Sequence, residues 1–168
     1  MGFDRLTVTK FENCVSAGQA DAQPIKKTTL RSKGVPRWYF ALTAYNNDRL
    51  VVSGGLHLST SVEVFAYYIQ TNEWRKISSM SKPRSNHSSC ALKSRIYFVG
   101  GCDSSMVRQN SIEYIDMNSN ERGTPMEIFP GGREMPVFGA VSDTKLLIMG
   151  GIGDIGKLSE VLTFNINE

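Results

Sequence analysis

The sequence predicts an all-β fold of about three four-stranded antiparallel units, and three observations carry that reading. Residues 49–55, 95–101 and 145–151 each run from a basic residue through apolar residues into a double glycine. The double glycines begin at Gly54, Gly100 and Gly150, 46 and 50 residues apart, a period that suits one four-stranded blade of a propeller. No segment shows a helical period, whereas β-branched and aromatic residues crowd the stretches between turns. The expected fold is therefore a partial β-propeller.

Each unit reads the same way from its start. An arginine, Arg37, Arg84 or Arg133, stands sixteen or seventeen residues before the double glycine, and Pro36 and Pro83 precede the first two. Small and apolar residues follow at 39–45, 87–92 and 137–142, as a first strand in the crowded inner part of a blade requires. The second strand ends in Gly54-Gly55, Gly100-Gly101 or Gly150-Gly151, where close backbones and positive φ exclude a Cβ. Third strands are expected at 62–67, 112–116 and 161–164. Asn-containing turns at 70–73 and 118–121 follow the first two, and Trp74 and Ile77 open a fourth strand. The first 36 residues read as the outer strands of a preceding unit: 8–11 aligns loosely with 161–164, and 25–30 suits an outer strand. Between 15 and 24 a disordered segment is an equal alternative. The basic stretch Lys26, Lys27, Arg31, Lys33 suits a lysine-protected edge strand better than a phosphate contact.

These residues resemble the kelch repeat. The stretch from 74 to 101 carries most of its pattern: Trp74, Met80, Pro83-Arg84, His87, Ile96-Tyr97 and Val99-Gly100-Gly101. The resemblance covers about residues 37–168 and divides them into repeats at 37–80, 81–132 and 133–168, the last incomplete, after an N-terminal segment of 1–36. It implies four-stranded antiparallel kelch blades and a binding scaffold. The chain departs from the pattern in places. Arg122 replaces a tryptophan, and Ile115 stands where the family has tyrosine. Glu63 and Glu160 come two positions earlier than Glu113, whose place is taken by Phe65 and Leu162.

Composition and motifs narrow the chemistry. The chain has 168 residues, 40% apolar, with a net charge of +3. It shows neither a run of about 18 apolar residues nor a signal-peptide pattern, so no membrane and a cytoplasmic location are expected. Cys14, Cys90 and Cys102 are scattered, and His57 and His87 are the only histidines, so neither a metal nor a cofactor is expected. Nucleic acid is not an expected partner at so mild a charge. Glycines 151, 153 and 156 do spell a G-x-G-x-x-G pattern, but no helix pattern follows. Ser88 and Ser89 adjoin His87 in sequence without forming a catalytic pair, since strand neighbours point to opposite faces. His87 reads as packing. Trp74 is large enough to fill a gap between blades, its truncation costing about 3–5 kcal/mol in a full core. A galactose-oxidase-like copper enzyme is the one enzyme class that such blades resemble, and two histidines suit it poorly.

Binding remains, since loops on a rigid scaffold are where recognition collects. The loops after the double glycines differ sharply: 56–60, 102–110 and 152–158. In proteins that this chain resembles, these loops and the segments leading into the first strand form the partner face. Arg37, Arg84, Asn86 and Arg133 from the lead-in segments, with Asp103, Arg108, Asp154 and Lys157 from the loops, are the candidate contacts for a protein or peptide. The three arginines are expected to pair with carboxylates, the alternative being anion contacts at the pore. Three blades do not close a ring. The chain is expected to be a fragment of a longer kelch protein, a self-associating half that closes the propeller, or an open arc capped by a partner. A ubiquitin-ligase adaptor and an actin-associated kelch protein are the larger settings considered.

Overall fold

A computed structural model describes the backbone of residues 5–9 and 27–31, and residues 37–166 in full. It divides into two units, Met1–Pro36 and Arg37–Glu168. In the first, β1 (Arg5–Thr9) pairs antiparallel with β2 (Lys27–Arg31). Lys27 and Arg31 of the basic stretch thus lie on a strand. Lys26, Lys33 and the stretches 10–11 and 15–24 lie outside the described residues.

In the second unit every described strand is antiparallel to its neighbours and no described residue is helical, so among the described residues no helix is long and apolar enough to cross a membrane. The first blade contains β3 (Ala41–Tyr45), β4 (Arg49–Ser53), β5 (Glu63–Tyr68) and β6 (Glu73–Ser79), paired in chain order. The second contains β7 (Ser88–Leu92), β8 (Arg95–Val99), β9 (Ser111–Asp116) and β10 (Met126–Glu127), also in order. In the third, β11 (Val137–Ser142), β12 (Lys145–Met149) and β15 (Val161–Asn165) pair in order, and the short β13 (Ile152–Gly153) and β14 (Gly156–Lys157) form a separate hairpin. That hairpin occupies the glycine-rich pattern, so no helix N-terminus stands there to take a phosphate.

The blades stack face to face, and the stacking explains the unbroken apolar runs of the second strands. Along β8, Ile96 and Phe98 pack with Tyr45, Val51 and Val64 of the first blade. The alternating Tyr97 and Val99 pack with Leu146 and Ile148 of the third. A strand covered on both faces needs apolar residues at every position, where a one-sided strand would alternate. The small-residue strands β3, β7 and β11 lie side by side, β7 between the other two.

Turns and strand ends follow local chemistry. Asn46 and Asn47, with φ of 50° and 57°, close the β3–β4 hairpin in the left-handed geometry that asparagine tolerates. The fourth strand differs between blades. β6 has seven residues, and Trp74 on it lies half-buried with its ring 5.2 Å from Tyr67 of its own blade. Its described ring contact is therefore within a blade, and partial burial places its truncation cost below that of a fully buried tryptophan. In the second blade, Arg122 stands at the tryptophan position and turns its guanidinium to the Met80 carbonyl at 3.2 Å. Gly123 and Pro125 follow, and β10 is reduced to two residues.

His87 links the first two blades. Its Nε2 lies 2.8 Å from the Ser53 hydroxyl, and its ring meets Phe98 edge-on. Burial, reinforced by the nearby Arg84 charge, pushes its pKa down to about 3. The unfolded chain therefore binds a proton at this residue below about pH 6.5 that the folded chain refuses, and stability is lost as pH falls. Between pH 7 and pH 5 the expected loss is about 2 kcal/mol. Urea titrations at both pH values should show it in the wild type, and a His87→Gln variant should lack it. An equal acid loss in both proteins would put the titration elsewhere.

Candidate functional site

The segments leading into the blades and the loops after the double glycines meet at one end of the sheets. Trp38 bridges Leu56, Ser85 bridges Cys102 and Glu134 bridges Ile152, so each lead-in segment lies antiparallel to the start of its own blade's loop. Each loop then folds back as a small hairpin, closed by Leu56 and Thr60, by Cys102 and Arg108, or by the β13–β14 pair.

The three lead-in arginines are anchored alike. Each donates to the carbonyl of the first glycine in its own double glycine: Arg37 to Gly54 at 3.4 Å, Arg84 to Gly100 at 2.7 Å and Arg133 to Gly150 at 3.0 Å. Each also meets a carboxylate, Arg37 with Glu63, Arg84 with Glu113 and Arg133 with Glu160. The pairing expected from sequence is what the blades use. The two-residue offset between glutamates is harmless, because residues i and i+2 of a strand share a face. Arg84 has Glu113 Oε1 at 3.0 Å from its Nε, and its Nη2 donates to Ser111 Oγ, where the other blades place Glu63 and Glu160. Burial pulls the Arg84 pKa down and Glu113 opposes that pull. Arg37 holds the Glu63 carboxyl below its usual range, assisted by Lys76.

As contacts for a partner, these residues differ in reach. Arg84 is 0% exposed and Arg133 is buried, so their side chains lie inside the blades, while Arg37 is partly exposed. Asn86, Asp103, Arg108 and Asp154 do come together on the loop face. Glu134 joins two of them directly and a third through Arg108: its Oε1 accepts from Arg108 at 2.9 Å and its Oε2 from Asn86 at 3.0 Å, while Arg108 also reaches Asp154 at 3.2 Å. The buried Cys102 thiol faces Glu134 Oε2 at 3.6 Å, and burial raises its pKa. Asp103 Oδ1 accepts from the Ser105 and Val107 N–H groups and so shapes its own loop. Lys157 stands exposed at the end of the third hairpin.

Neighbouring hairpins are joined into a rim. Thr60 N–H donates to Ser104 Oγ at 2.7 Å across the first two, and Arg108 meets Asp154 across the second pair. Each hairpin carries an apolar tip: Leu58 at 92% exposure, Met106 and Val107 beside each other, and Ile155 at 99%. A cleft of about 400 Å³ lies beside the second tip, lined by Lys82, Pro83, Asp103, Val107, Arg108 and Gln109 among others. Sequence reasoning favoured the charged loop residues and passed over these tips and Glu134. The available signal was one aliphatic residue or pair set among polar and glycine neighbours in each loop.

The Kelch motif family matches residues 83–122, which take in the lead-in arginine, β7–β9 and the turn to Arg122. The chain is built of kelch repeats. Kelch-like protein 30 of Homo sapiens is 31% identical over 81 residues, covering 46% of this chain and 14% of that protein. Kelch-like protein 35 of Mus musculus is 39% identical over 87 residues, covering 52% of this chain and 14% of that protein. Adagio-like protein 1 of Oryza sativa subsp. japonica is 30% identical over 148 residues, covering 79% of this chain and 23% of that protein. The kelch repeats described here thus span between a seventh and a quarter of the length of these relatives.

Proposed function

We propose that the chain is a kelch-type interaction scaffold, and that its hairpin rim holds a protein or peptide partner by its apolar tips. The observation carrying this reading is the rim itself. Three hairpins from three blades are hydrogen-bonded side to side, and each exposes an aliphatic tip that contributes nothing to the core. Exposed apolar groups held in a row on a rigid base are what a recognition surface offers, whereas isolated ones are ordinary. A catalytic role finds little support in the groups nearby. Arg84 and Glu113 satisfy each other, His87 is buried and resists protonation, and burial raises the Cys102 pKa.

Selecting a displayed peptide library on the purified chain tests the reading. Selected peptides should lose at least tenfold in affinity for a Leu58→Ser, Met106→Ser, Ile155→Ser triple variant, about 1.4 kcal/mol or more. The variant's stability should change little, since exposed tips contribute little to it. Peptides that bind both proteins equally would place recognition elsewhere.

A further inference from the structure

The joint between successive blades is built twice from the same parts. Gly55 N–H donates to the Arg84 carbonyl of the next blade at 2.8 Å, and Gly101 N–H donates to the Arg133 carbonyl at 2.8 Å. In the opposite sense, Asn86 N–H donates to Tyr39 O at 2.9 Å and Met135 N–H to Asn86 O at 2.7 Å. Tyr39, Asn86 and Met135 all have φ between 54° and 59°, the left-handed geometry that aims these groups across the joint. Among the described residues, Gly151 N–H and Met135 C=O have no backbone partner, and neither have Arg37 C=O and Tyr39 N–H at the other end of the array. The two ends carry the complementary halves of one more joint.

The side chains match in the same way. Val64, Ile112 and Val161 hold one position in the three blades; the first two are covered by the following blade, while Val161 is 61% exposed. At the second joint Asn86 reaches Glu134. The corresponding residues at the free ends are Met135 and Trp38, both about half exposed, and a thioether against an indole is a favourable pair. At the first joint Thr43 meets Ser89. The corresponding free-end residues are Gly139, beside which a Cβ would meet nothing within 4 Å, and Leu42, which is 52% exposed. The smallest residue thus stands opposite a large one.

We propose that the third blade receives the first blade of a second copy of this chain, and that two copies close head to tail into one six-bladed ring. Propellers close with about 4–8 blades. The three described blades taken twice fall within that range. The joint places Gly151 N–H on the partner's Arg37 carbonyl, Met135 C=O on the partner's Tyr39 N–H, and Val161 under the partner's apolar face.

Light scattering of the full chain should give about twice its 18.7 kDa mass. A Cβ on Gly54 or Gly100 would lie 2.2 or 2.4 Å from the next blade's arginine carbonyl, and in the ring Gly150 takes the same place. Gly150→Asn, whose side chain tolerates the φ of 58°, should therefore stay folded and become monomeric. Leu42→Glu should do the same from the other end. Mixing the two variants should restore dimers, because one of the two joints in a mixed pair is free of both changes. That complementation separates a head-to-tail ring from any symmetric face-to-face dimer and cannot come from unfolded protein. A monomeric wild type, as expected if a fourth blade of one polypeptide or of a different protein fills the joint, overturns the proposal. So do dimers that survive both changes, or a mixture that stays monomeric.

Discussion

Replacing Glu113 by glutamine should destabilise the chain by about 3–5 kcal/mol, because it leaves the Arg84 guanidinium charged, buried and without its counter-ion. Both side chains are 0% exposed. Glu113 also accepts from the Ser81 N–H at 2.7 Å, so the carboxylate ties the link between two blades to the arginine that opens the second. The first and third blades indicate how to test the assignment without confounding it with packing. They hold their carboxylates at the Ser111 position and an apolar side chain at the Glu113 position. A Ser111→Glu, Glu113→Leu double variant should recover at least half of the loss in urea unfolding. Should Glu113→Gln cost under about 1 kcal/mol, the pair is no more than a surface salt bridge in effect.

Gly100→Ala should be strongly damaging for the addition of a single methyl group. Its φ of 65° already costs an L-residue about 1–2 kcal/mol. In addition, the new Cβ would stand 2.4 Å from the Arg133 carbonyl, a backbone atom that moves only if the third blade moves. Together these predict a loss above about 3 kcal/mol, with the added strain falling on the joint between the second and third blades. Gly131→Ala is the matched control, since its nearest neighbour is the end of the Asp154 side chain at 3.8 Å. Thermal melts of the two variants should differ widely. Similar melts would mean that the joint yields at little cost.

The blade pattern was legible because it repeats. One Gly-Gly says little, but three in register with an arginine define strands and their order, and the arginines point to carboxylate partners near the strand entry. The sliding glutamate also became intelligible from alternation along a strand, once Glu63 and Glu160 were seen to share a face with the Glu113 position. What stayed hidden depends on neighbours distant in sequence. Tyr39 and Met135 hold backbone conformations that their residue types disfavour, and the bonds to the adjoining blades hold them there. The two-residue β10 was masked by an expectation of four full strands, although Arg122, Gly123 and Pro125 argued locally against one. The site was only half legible. Charged loop residues drew attention as contacts, yet Arg108, Asp154 and Asn86 are engaged with one another or with Glu134. The tips looked unremarkable because a lone aliphatic residue in a loop is common.

The carbonyl lodged against each of the first two double glycines also sets how stability is shared. Among the described residues of one chain, hydrogen bonds and ion pairs between blades join only neighbours, so the array behaves as a linear chain of nearest-neighbour couplings. The middle blade takes part in both seams, Arg84 carbonyl to Gly55 on one side and Gly101 to Arg133 carbonyl on the other. Within a single chain, a defect there weakens two couplings at once, whereas a defect in an outer blade weakens one and leaves the remaining pair cooperative. The sites least tolerant of change are accordingly set by rank along the array more than by depth within a blade.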